Sequence, residues 1–291
     1  MPALVVAIPV ATVAISVLGS FFTARYIAQR QYRTSMDLVT QSAQTQYRFN
    51  ALLKYNEQVK APMGQVVESI HDAGDRLFSL LSDSSGEKRQ WTEHESYFRQ
   101  SFVWLLVRPL AWMEVLRARR TNLDLGIESI AGEDQRFQGL CRIYEISLHR
   151  AQLFAGTGYR EGEATAHVFA GDLRRMAEVV IQRDGQRPIR YAAFVEKFCG
   201  AGPRAQELAP MRSLVSNLGD GSSMAQFKLA RLLSVYVACN CILDTWRSPF
   251  RSRETPEDSL KWLNHIISDR SVCTLVRSNI EAKIIARARA L

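Results

Sequence analysis

MPALVVAIPVATVAISVLGSFFTA, residues 1–24, holds no charged side chain, and RYIAQRQYR, residues 25–33, places Arg25, Arg30 and Arg33 directly behind it. The apolar part runs from Ala3 to Phe22, close to the roughly 20 residues a helix needs to cross the hydrocarbon core. Leu4, Val5, Val6, Ile8, Val10, Val13, Ile15, Val17, Leu18, Phe21 and Phe22 favour insertion, while Thr12, Ser16 and Ser20 oppose it only weakly. Pro9 is tolerated in a membrane helix, where neighbouring groups satisfy the freed carbonyl. Tyr26 and Tyr32 fall among the arginines, where headgroups begin. Basic residues stay inside, so the N-terminus is expected outside and the bulk of the chain in the cytoplasm. A cleaved signal peptide would need a basic start, a shorter apolar core and small residues at the cleavage site; Phe21-Phe22 stands in that place. Ala3, Ala7, Ala11 and Gly19 share a stripe that suits helix pairing, but alanine is common in such helices.

The stretch from Thr23 to Lys60 has neither proline nor glycine, so residues 25–60 are expected to continue as a polar juxtamembrane helix. Pro62 then opens a new helix at its first turn. Met63, Val66, Val67, Ile70, Leu77, Phe78 and Leu81 mark its apolar face. A helix over 93–119 follows, carrying Phe98, Phe102, Leu105, Leu106, Trp112, Met113 and Leu116. Arg108, Pro109 and Glu114 inside it favour a kinked core helix over a second span. Further helices are expected over 134–154, 164–183, 188–199, 205–217 and 223–247, the last strongly apolar. Thr255-Pro256-Glu257-Asp258 has the N-cap, first-position proline and acidic first turn of a helix start. The expected fold class is all-α: an anchor over 1–24, a juxtamembrane helix over 25–60, a multi-helix cytoplasmic bundle over 61–250 and a helical tail over 251–291.

Composition narrows the functional classes. The net charge is +8 and apolar residues make up 47%, enough for a substantial core. The basic residues are dispersed among acidic ones, and no finger, aromatic RNA-binding strand or basic tract occurs; nucleic acid is disfavoured as a partner. Cys141, Cys199, Cys239, Cys241 and Cys273 form no disulfide framework. Cys239-Asn240-Cys241 has the wrong spacing for a zinc knuckle and reads as buried small residues. His71-Asp72 lacks the further ligands of a metal site. Gly156-Thr157-Gly158 lacks a third glycine and a preceding strand, and there is no phosphate loop or nucleophile elbow. No cofactor or metal is expected, and the want of motifs weighs against an enzyme.

One polar constellation stands out. Asp172, Arg175 and Glu178 recur at three-residue spacing, and Arg174 reaches Glu178 at i+4. This is the pattern of an intrahelical ion-pair ladder; the alternative is a charge cluster that receives an anion or a partner.

His167-Val-Phe-Ala-Gly-Asp-Leu-Arg-Arg-Met-Ala-Glu-Val-Val-Ile181, with Tyr191-Ala-Ala-Phe-Val-Glu-Lys-Phe198 behind it, resembles paired motifs in a family of uncharacterised bacterial proteins with an N-terminal span. Tyr55 to Pro62, Leu77-Phe78, Trp112-Met113-Glu114 and Leu243-Asp244 follow the same order. The likeness covers residues 45–247. It departs from the motif at Ala170, where Arg is expected, and at Ala177, where Gly is expected. What it implies is architecture at a bacterial inner membrane, and no activity. Three functions are therefore open: interaction with a protein partner or a second copy at the cytoplasmic face, as scaffold, regulator or sensor; an unrecognised helical active site for an anionic substrate near Asp172, Arg175 and Glu178; or a basic module for lipid headgroups or nucleic acid.

Overall fold

A computed structural model describes residues 3–93, 96–121, 128–159, 166–199, 202, 204–246 and 249–291, the side chains of 3–15, Val17 and 128–130 excepted. The inserting side chains named above, Leu4 to Ile15, thus lie outside the described set. Every regular element among the described residues is helical. The chain divides into two compact units, residues 1–53 and 54–291.

The first unit is a single helix within α1 (Ala3–Tyr55). All of its residues from Leu18 to Asn50 are exposed. The hydroxyls of Ser20, Thr23, Thr34, Thr40 and Thr45 each donate to the carbonyl four residues back, at 2.8–3.0 Å.

In the second unit α2 (Ala61–Leu81), α4 (Tyr97–Arg120), α5 (Glu128–His149) and α9 (Ser223–Thr245) build the core, with the short α3 (Glu87–Gln90) between the first two. From Ala225 to Leu243 nearly every residue of α9 is buried. Among the described residues α9 is the one helix long and apolar enough to cross a membrane, and 89% of that stretch is buried inside the protein, so it serves as the central core helix. Gly74 on α2 lets the two backbones approach: a Cβ there would lie 3.4 Å from the Cys239 Cβ. Arg108 ties α4 to α2 by reaching Asp72 at 2.8 Å and Glu68 at 3.7 Å, which also engages the carboxylate of the His71-Asp72 pair.

Several boundaries differ from those read in the sequence. No break precedes Pro62. A π turn, Asn56–Lys60, joins α1 to α2 with helical backbone at both ends, so Pro62, at the head of α2, lies inside a continuous helical path and removes one backbone donor from it. The helix expected over 134–154 ends at His149, and Ala151–Phe154 forms a 3₁₀ turn. The helix expected over 164–183 shrinks to α6 (Ala170–Val179); residues 160–165 are outside the described set. Beyond α6 the chain reverses around Gly185 (φ 69°), and Ile189 N donates to Val180 O at 2.8 Å. α7 (Tyr191–Phe198) falls within the expected 188–199. The helix expected over 205–217 is a 3₁₀ turn, Ala205–Leu208, followed by α8 (Ala209–Leu214).

Residues 251–291, expected as a tail, belong to the second unit. They form α10 (Pro256–Ser259), α11 (Leu263–Ile266), α12 (Arg270–Ile280) and α13 (Ala286–Arg289). Leu260, Leu263, Val276, Ile280, Ile284 and Ala288 enter the common core. Thr255 caps α10 as expected, its side chain accepting from Asp258 N at 3.1 Å.

Arg231 is fully buried in α9 and has no carboxylate partner among the described residues. Its Nε donates to Ala166 O (3.1 Å), and its Nη1 donates to Ser147 O (3.1 Å) and Arg150 O (2.8 Å). Its guanidinium lies over the Phe154 ring at 4.6 Å. Burial pushes its pKa down to about 9, so it carries its charge at neutral pH. Ser147 and Arg150 stand at the C-terminal end of α5, where carbonyls lack helical donors and the dipole favours a cation. Arg231 therefore ends α5 at His149 and locks it to α9. Each buried carbonyl stripped of its partner costs about 1–3 kcal/mol. Ser147 O keeps the Ser234 hydroxyl and Arg150 O keeps Leu153 N, so Arg231→Met, which strips Ala166 O, is expected to lower the unfolding free energy by about 1–3 kcal/mol in urea titrations. Arg231→Lys, which lacks the planar fork, is expected to recover only part of it.

Candidate functional site

Two cavities adjoin between α4, α5 and α6. The larger, about 670 Å³, is lined by Arg117, Arg120, Thr121, Gln138, Cys141 and Arg142 among others. The smaller, about 250 Å³, is lined by Leu110, Glu114, His149, Leu173, Arg174 and Ala177. Arg117 and Glu145 belong to both walls.

Arg117, one turn from the end of α4, bridges two carboxylates: it pairs with Glu114 on its own helix, and its Nη2 reaches Glu145 on α5 at 3.0 Å. Glu114 is largely covered, with its side chain 12% exposed. The paired glutamates hold Arg117 protonated, raising its pKa against the opposing effect of burial. One turn further on, Arg120 Nε meets Asp134 Oδ1 at 2.6 Å, and both side chains are nearly covered. Gln138 donates to the other oxygen of Asp134 at 2.6 Å. Arg117 with Glu145 and Arg120 with Asp134 thus staple α4 to α5 along the cleft.

His149, half-buried at the last turn of α5, has its pKa lowered by burial, although Glu145 pulls the other way. Cys141 is buried, and burial pushes its thiol up to about 12, so it is no nucleophile at neutral pH. The cleft offers carboxylates already engaged by arginine, a neutral imidazole, and the exposed Arg142 and Arg174. This arrangement suits recognition of polar or charged groups.

The constellation read from the sequence lies on α6 as two intrahelical ion pairs. Arg174 lines the smaller cavity; Asp172, Arg175 and Glu178 do not. Arg175 Nη2 bonds Asp172 at 2.9 Å and Arg174 Nε bonds Glu178 at 3.0 Å. Arg174, Arg175 and Glu178 are all more than half exposed. They form the intrahelical ladder, worth about 0.2–0.5 kcal/mol per pair. Of the cleft groups, Arg117, Asp134 and Glu145 carry no local signal in the sequence, whereas Glu114 shows as a charge in an apolar helix, Arg174 as a member of the ladder, and Cys141 and His149 as residues without ligand spacing.

Elsewhere, Cys239 and Cys241 are buried within α9, and burial raises both thiols. His71 packs against Phe250 with the rings tilted by 33°, centroids 4.8 Å apart. Among the described residues no group of three or more His, Cys, Asp or Glu is placed to hold a metal ion. Compared with protein-family models, curated proteins and solved structures, the chain matches none.

Two outcomes follow from this geometry. Asp134→Ala leaves the Arg120 charge covered and unpaired, and is expected to cost about 3–5 kcal/mol, whereas Asp134→Leu with Arg120→Met is expected to restore most of that; chemical denaturation of the three proteins measures it. For His149, a folded pKa below the ordinary 6.5 means that the unfolded chain binds more protons as pH falls. Stability is then expected to be full above about 6.5 and to decline as pH drops from there through the lowered folded value. His149→Gln is expected to flatten that part of the profile in melts taken between pH 7.5 and 5.

Proposed function

We propose that this is a single-pass membrane-anchored helical protein that acts by interaction at the cytoplasmic face. The observation that carries the reading is the uncharged run 1–24 followed by Arg25, Arg30 and Arg33, which from Ala3 onward lies on the one helix α1. A helix satisfies its backbone internally, which the hydrocarbon core demands. Ser20 and Thr23 fold their hydroxyls onto the carbonyls of Ser16 and Gly19, each at 2.8 Å, which reduces the cost of placing them in lipid. The resemblance described above points to the same architecture.

The cleft beside Arg117 supports an interaction role for the second unit. A partner's basic group can compete with Arg117 for Glu114 and Glu145, and an acidic one can take up Arg142 and Arg174. Each exchange replaces one ion pair by another, so association there is sensitive to charge and to salt.

Fractionation with protease treatment tests the topology. The full chain is expected in the carbonate-resistant membrane pellet, with residues 54–291 protected in intact cells and digested in inverted vesicles. Deleting residues 1–24 is expected to release a folded soluble protein. A full chain that fractionates as soluble, or digestion from outside, would overturn the reading.

A further inference from the structure

We infer that the polar half of α1 pairs with a second copy of the same chain as a parallel two-stranded coiled coil over Tyr32–Leu53. Tyr32, Met36, Val39, Ala43, Gln46, Asn50 and Leu53 recur at alternating spacings of four and three, which is the a/d seam of a coiled coil. With Met36, Ala43 and Asn50 at a, the d positions are Tyr32, Val39, Gln46 and Leu53. The first unit is this helix alone. Tyr32 is 65%, Met36 49%, Val39 63% and Leu53 44% exposed, so the apolar seam lies bare. The same phase upstream meets Gln29 and Arg25, so the seam begins at Tyr32.

Charge placement fits self-association. The charged residues between Tyr32 and Leu53 are Arg33, at e opposite Ala28, and Asp37 and Arg48, at the outer positions b and f. The flanking g and e′ residues that would face each other are Ser35 with Thr40, Ser42 with Tyr47 and Phe49 with Lys54. No like charges meet across the seam.

The polar layer selects the occupant. Gln46 Nε2 donates to Asn50 Oδ1 at 3.2 Å within one helix, which places both amides together on the seam. An apolar partner would bury the remaining groups of the pair, Gln46 Oε1 and Asn50 Nδ2, without mates, which is unfavourable. A copy in register supplies the same amides opposite, and a polar residue at an a position is a known means of fixing register and strand number. The parallel direction rests on the membrane reading above, because two chains anchored in one bilayer enter it the same way round.

The test is a single-cysteine scan of residues 36–50 in the full-length protein, in membranes, with mild oxidation. The five native thiols are all buried, so the wild-type chain is the blank. Disulfides form only where Cα atoms come within about 7 Å. Dimer yield is expected to peak at 36, 39, 43, 46 and 50 and to be about tenfold lower at the outer positions 41, 44 and 48. Val39→Asp is expected to abolish the dimer that Ala43→Cys forms, without changing the urea stability of residues 54–291. A flat profile in membrane-resident protein overturns the pairing and leaves the anchor standing. Peaks in a heavier mixed product would mean that another protein occupies the seam, and also overturn it. The same periodic profile in a protein found soluble would uphold the pairing and overturn the anchor.

Discussion

A single buried guanidinium sets the arrangement of the second unit. Arg231 sits in the middle of the most apolar helix and spends its donors on carbonyls of Ser147, Arg150 and Ala166. Those carbonyls lie 65–84 positions away in sequence, so the bonds exist only once α5 and the segment before α6 are docked. Ser234 adds a bond to the same Ser147 carbonyl at 3.0 Å. The charge is costly to bury, and the end of a helix is one of the few places that repays it without a carboxylate. Because α5 is fixed there at one end, and by Arg120 with Asp134 near the other, its register against α4 and α9 is determined. The position of the cleft follows from that register.

Much of the architecture was legible because it rests on local patterns. The apolar density of residues 223–247 announced a central helix, and Thr255-Pro256 announced a helix start, since a cap and its first turn are adjacent in sequence. The ladder of Asp172, Arg174, Arg175 and Glu178 was equally local, and its pairs formed as the spacing requires. What was not legible depends on packing. Glu114, Arg117, Asp134 and Glu145 are scattered over two helices, and nothing in either stretch says that they will meet. Arg231 did leave a signal, a lone arginine between Leu229, Ala230, Leu232 and Leu233. Reading such a residue as a buried cap, however, requires knowing which helix ends beside it. The helix expected over 164–183 was overextended because the sequence around Ala166 gave no sign that its carbonyl was needed elsewhere. The junction at Pro62 was read as a break because proline marks an opening; a π turn that carries the helical path across it leaves no mark of its own.

Pro109 bears on how the cleft behaves. It has no N–H, so the Leu105 carbonyl loses its helical donor. Nearby, the buried Tyr144 hydroxyl donates to the Leu106 carbonyl at 3.0 Å, which steadies the helix from α5. Every α4 residue that lines the cavities, from Leu110 to Arg120, lies beyond this proline. The part before it is held to α2 through Arg108. The segment after the proline forms one wall of the cleft. A residue that gives up one backbone bond therefore stands between the two sets of charged contacts, Arg108 with Asp72 before it and Arg117 and Arg120 with Glu145 and Asp134 after it, that fix the direction of α4.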